Sequence, residues 1–202
     1  MTVMDLPKTT EISRVKRLKA ETHDMHEALD QRIMRAAPFS SRERYGAFLK
    51  MQHQFHRDLD ALYVNPVLDR LLPDLEGRRR LRLVAEDLAD LGLSAPDGSH
   101  APVFPEGRDA DLPTALGWLY VAEGSNLGAA FLLKEAAKLD LTDSFGARHL
   151  AAAPEGRGLH WKTFTAALDA LELTPAEEER VVEGARAAFK SVRARAETFF
   201  AN

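Results

Sequence analysis

Apolar side chains recur at three- and four-residue intervals along most of the chain, and the period-two alternation of a half-buried strand is absent. The first run spans roughly Thr10 to Ala36, with Val15, Leu18, Met25, Leu29 and Ile33 on one stripe and Pro38 to end it. Ser40 or Ser41 can cap a second helix, whose stripe is Phe48, Met51, Phe55, Leu59 and Leu62. Breaks at Asn65-Pro66 and near Pro73 set off a helix around Arg78 to Leu91. The longest loop, Gly92 to Asp111, carries Pro96, Gly98, Pro102, Pro105 and Gly107. Asp111-Leu112-Pro113 then reads as a helix start, and apolar positions continue to about Leu139. A short helical segment at Phe145 to Ala152 precedes a break at Pro154, Gly156 and Gly158, and a further helix runs from about Leu159 to Leu171. Thr174-Pro175-Ala176-Glu177 joins a capping hydroxyl, a first-turn proline and an acid three residues on, opening a last helix to about Phe200. The pattern predicts an all-α fold, one domain over 1–202 with a flexible N-terminus at 1–9.

Composition narrows the function classes. With 27 basic and 31 acidic residues the net charge is −4, which argues against a general nucleic-acid binder. The absence of cysteine removes disulfides, thiol nucleophiles, thiolate heme ligands and iron–sulfur clusters. No apolar run approaches the roughly 20 residues that span a bilayer, and Met1 to Pro7 lacks the layout of a secretory signal. The expected location is the cytoplasm, with no membrane partner. The chain also lacks a G-x-G-x-x-G fingerprint, a P-loop, an H-E-x-x-H pair and a G-x-S-x-G elbow.

Two places carry candidate chemistry. His26 projects within the first helix's apolar stripe, about 20° from Val15 and Ile33, with His23 at the stripe's edge. An inward histidine is commonly a core residue bonded to a carbonyl; the alternative is an axial ligand, because a neutral imidazole facing an apolar pocket suits heme iron. Lys19 lies two turns earlier on the same side, about 10 Å along the axis, the order of distance from a central iron to a carboxylate at a macrocycle's edge. The second place is Glu123-Gly124-Ser125-Asn126-Leu127-Gly128. Glycines inside a helix cost about 1 kcal/mol each, so the pair needs a reason: close packing of another helix, or close approach of a flat ligand to bare backbone. His53, His56 and Asp60 have a spacing compatible with a metal, but His53 projects onto the polar face, and His100, His149 and His160 form no recognisable set.

Three segments, in order along the chain, make it resemble a heme oxygenase of the soluble bacterial type. Leu18-Lys19-Ala20-Glu21-Thr22-His23-Asp24-Met25-His26-Glu27 is similar to the family's proximal helix. Glu123 to Leu132 resembles its glycine-rich distal helix, and Leu171 to Pro175, continuing through Arg180 to Glu183 and Ala188-Phe189, resembles its C-terminal helix. The resemblance implies His26 as the iron ligand, Gly124 and Gly128 as the backbone over the distal face, Lys19 and Tyr120 as propionate contacts, and Phe189 as a pocket wall. Ser125 stands where animal members have a catalytic aspartate, so other groups must organise the distal water network.

The resemblance further implies a monomer that takes heme b as substrate and cofactor. It uses O2 and electrons from a ferredoxin or flavin/NADPH reductase, and yields biliverdin, iron and carbon monoxide. The lysine–tyrosine combination at Lys19 and Tyr120 matches members that open the ring at the α carbon, which points to biliverdin IXα. Two other readings stay open: a non-catalytic heme storage or delivery protein, and a thiaminase-like hydrolase sharing only the fold. The product could serve a photoreceptor or be a by-product of iron acquisition.

Overall fold

A computed structural model describes residues 13–98 and 100–201. The expected flexible stretch at 1–9, and the first helix's start at Thr10, lie outside the described residues. Within them the fold is all α, as the pattern predicts.

Helix α1, Arg14–Arg35, starts where Ser13 Oγ accepts from Lys16 N and Asp169 accepts from Val15 N. It stops as Ala37 enters the left-handed region (φ 46°) directly before Pro38. Helix α2, Arg42–Leu59, takes Ser41 as its cap and is buried on most of its circumference. That corrects the assignment of His53 to a polar face: His53 and His56 are both buried, because neighbouring elements pack on α2 from several directions. The Asn65-Pro66 break is itself a helix start, with the Asn65 side chain accepting from Val67 and Leu68 to open α3, Pro66–Asp69. Helix α4, Leu81–Asp90, is shorter than expected, since Arg78 belongs to a 3-10 turn, Glu76–Arg78, that directs its guanidinium inward.

Helix α5 runs Leu112–Ala137 from an Asp111 cap. The segment expected to be helical over Phe145 to Ala152 is reduced to a 3-10 turn, Arg148–Leu150. Helix α6, Arg157–Ala170, follows Gly156, whose φ of 87° only glycine adopts without strain. Helix α7, Pro175–Phe199, begins with the full capping box of Thr174 and Glu177.

Helix α7 is the central packing element, lying against α5, α1 and α2. Its crossing with α5 is set by two glycines: a Cβ on Gly117 would collide with the Val181 carbonyl, and one on Gly184 with the Thr114 carbonyl. This backbone-to-backbone approach divides α5 in two. Ala115 through Glu123 is continuously buried, whereas beyond Gly124 only Ala129 and Ala136 are.

Candidate functional site

Helices α1 and α5 both pack on α7 and make little contact with each other. On the α1 side the structure departs from the sequence expectation. The buried line of α1 runs through Arg14, Leu18, Thr22 and Leu29, and His26 sits at its shoulder with 64% of its side chain exposed. The imidazole is not a core histidine bonded to a carbonyl. Its Nδ1 lies 3.2 Å from Asp30 Oδ2, and its ring meets Phe189 of α7 edge-on at 5.9 Å. A carboxylate this close to Nδ1 favours the proton there and leaves the lone pair on Nε2, as in histidines that serve a metal. His23, also exposed, reaches only 4.0 Å from Glu27.

Lys19 is exposed and, among the described residues, pairs with no carboxylate. Three arginines of α1 and α7 are engaged: Arg14 with Glu178, Arg17 with Glu179, and Arg186 with Glu21 and Glu183. An exposed, unpaired ammonium is available to an anionic ligand.

On α5 the two glycines are open. A Cβ at Gly128 would meet nothing within 4 Å, and one at Gly124 would meet only the Trp161 ring at 3.5 Å. Helix packing, the ordinary reason for such a pair, is served seven residues earlier by Gly117, which the sequence reading missed. Next to the glycines on α5 stand Leu127, 43% exposed, and Phe131, 52% exposed. Phe131 projects within about 20° of Gly124, so the uncovered apolar surface shares the glycines' face. Ser125 Oγ donates to the Ala122 carbonyl at 2.6 Å, so its hydroxyl is spent on the helix backbone. Tyr120 is buried against Trp161, ring centres 5.7 Å apart, and burial raises its phenol pKa. No hydrogen bond joins Tyr120 to Lys19 among the described residues.

Behind the glycines lies a buried charge network that the sequence pattern does not mark. Arg78 Nη1 donates to Glu123 Oε2 at 2.9 Å, and Tyr63 Oη donates to Glu123 Oε1 at 2.9 Å. Burial, then the Glu123 carboxylate, pushes the Tyr63 phenol well above its usual range. His160, set aside in the sequence as a loop residue, is buried beside them with Nδ1 2.7 Å from Glu155 Oε1. His149 is buried too, at 2.7 Å from Asp87 Oδ2. Burial alone would raise the Asp87 carboxyl, but the His149 ring and the N–H groups of His149 and Arg148 hold it below the usual range. The one legible signal was an acid, Glu123, closing the apolar run from Trp118 to Ala122; its partners come from distant segments.

The His53, His56 and Asp60 alternative fails on geometry: Asp60 is held by Arg79, and the described residues contain no cluster of three metal-ligating side chains. Two surface clefts lie elsewhere, about 610 Å³ beside Arg42, Lys50 and Phe199 and about 290 Å³ beside Arg80, Arg148 and His160. Neither includes His26 or the glycines.

The heme oxygenase family model matches residues 13–197. The chain belongs to the heme oxygenase family. It is 45% identical over 178 residues to heme oxygenase PigA of Pseudomonas aeruginosa, covering 87% of each chain. The heme oxygenase of Neisseria meningitidis, solved with NO and CO bound, superposes with a TM-score of 0.87 at 43% identity, over 94% of this chain and 92% of that one. This heme oxygenase is therefore an enzyme of an all-α fold, and among its described residues no helix is long and apolar enough to cross a membrane.

Proposed function

We propose that this heme oxygenase holds heme between α1 and α5 through His26 as its one protein ligand. In this reading it acts as a single cytoplasmic domain and converts heme to biliverdin IXα with release of iron and carbon monoxide. The observation that carries the reading is the pairing of an exposed, Asp30-oriented imidazole with an uncovered glycine face on α5. When bound, heme supplies the iron that activates oxygen and is also the ring to be opened. The residues divide the rest of the work. Asp30 beside Nδ1 keeps Nε2 of His26 for the iron, and Phe189 packs edge-on against the ring. Gly124 and Gly128 present backbone instead of side chains, so a flat ligand can approach the helix closely. Leu127 and Phe131 supply apolar cover that excludes water. Lys19 offers the charge, and Tyr120 the hydroxyl, that fix the ring's rotation through its propionates. Electrons come from a separate ferredoxin or flavin/NADPH reductase.

Hemin added to the protein should give a Soret band, which is lost under air when ascorbate or a reductase system is supplied, with biliverdin as the product. A stable spectrum indicates a storage or delivery protein; no spectrum refutes the heme site. Chromatography against isomer standards should show the IXα isomer, and Lys19→Asn with Tyr120→Phe should give a mixture. A predominantly β or δ product from the unmodified protein sinks the assignment of Lys19 and Tyr120.

A further inference from the structure

Asn126 stands midway between Gly124 and Gly128, and its main-chain carbonyl accepts a hydrogen bond from outside the helix. The donor is Arg157 Nη1, at 2.9 Å, from the first turn of α6. The other arm, Nη2, donates to the Leu150 carbonyl at 2.5 Å. Leu150 ends the 3-10 turn that is pinned to α4, because Asp87 accepts the N–H groups of Arg148 and His149 at 2.9 and 3.0 Å. One guanidinium thus spans from a turn anchored in the interior to the middle of the glycine segment. Trp161, one turn along α6, backs Gly124 from the same side, while nothing backs Gly128.

A helical carbonyl that also accepts from outside the helix is tied to that donor, so opening the turn must break the external bond as well as the internal one. Two glycines give this stretch the weakest helix propensity in α5, so an external tie decides where it stands.

We propose that Arg157 is a positioning residue. Its bridge from Leu150 to Asn126 sets how far the Gly124–Gly128 segment stands open, and hence the clearance over a bound heme. The consequence for turnover rests on the heme reading above; the effect on the helix does not.

The test is amide hydrogen exchange of the wild type, Arg157→Met and Arg157→Lys, heme-free and hemin-loaded, together with the ratio of biliverdin formed to hydrogen peroxide released. In Arg157→Met, amides from Leu127 to Phe131 should exchange about tenfold faster or more, the scale of one lost charge-assisted hydrogen bond, while α7 stays protected. The product ratio should shift toward peroxide more than hemin affinity falls. Arg157→Lys, able to reach one carbonyl but not both, should fall between. Unchanged exchange over Leu127 to Phe131 overturns the proposal, and so does equal acceleration in every helix. If the wild type binds hemin without degrading it, the functional reading fails while the exchange result still decides the role of Arg157.

Discussion

His26 can be replaced without cost to the fold, since most of its side chain is exposed and its contacts are one carboxylate and one ring edge. His26→Ala should therefore unfold at the wild-type urea concentration while losing the normal heme spectrum and biliverdin formation. An unaltered Soret band in that variant would falsify the ligand assignment and turn attention to His23. Arg78 is the opposite case. Its guanidinium is buried and serves Glu123, the Pro73 and His160 carbonyls, Thr163 and the Phe164 face. Removing it leaves a carboxylate stranded in the interior, so Arg78→Met should cost about 3–5 kcal/mol in urea denaturation. A loss under 1 kcal/mol would mean that water reaches Glu123. Of these two residues only His26 was legible in the sequence, because it sits in a local motif; the worth of Arg78 depends on partners 45 and 82 positions away.

Four glycines on α5 and α7 make opposite demands. At Gly184 a methyl group meets the Thr114 carbonyl, and backbone cannot yield as a side chain can. Gly184→Ala should destabilise the protein by about 1–3 kcal/mol or more and loosen the α5–α7 crossing, measured as a lower melting temperature. Gly128 has open space, so Gly128→Ala should raise the stability of the heme-free protein by roughly 1 kcal/mol through helix propensity. The same change should weaken hemin binding. A variant both more stable and fully active would remove the ligand reading of that glycine. Spacing alone marks Gly124 and Gly128 as unusual but cannot separate packing from clearance, because a glycine's neighbours come from elsewhere in the chain. The element boundaries follow the same logic. The Ser41, Asp111 and Thr174 starts are local chemistry visible in the sequence, and they hold. The helix expected over Phe145 to Ala152 gives way to tertiary bonds from Asp87.

For the molecule as a whole, buried histidines set the acid limit. Burial, then His149, Arg80 and His53 nearby, lower the His56 pKa from 6.5 to about 3. Below pH 6.5 the unfolded chain takes up a proton there that the folded one refuses. That contribution is therefore complete above pH 6.5 and shrinks as pH falls, by up to about 1.4 kcal/mol per unit. His53, lowered chiefly by burial, acts in the same direction. Urea midpoints between pH 7 and 4 should drop steeply in the wild type and less steeply in His56→Leu; equal slopes would mean that His56 titrates freely. The division of α5 at Gly124 has a consequence for how this protein can vary. From Ala115 to Glu123 almost any replacement strikes packed neighbours, so changes there should register as lost folding yield. From Ser125 onward most positions face outward, so changes there should leave yield intact and register in product and rate. A saturation scan along this one helix should thus separate into two phenotypes at a single position, and the second half is where a new ring orientation or substrate could be selected without first adding stability.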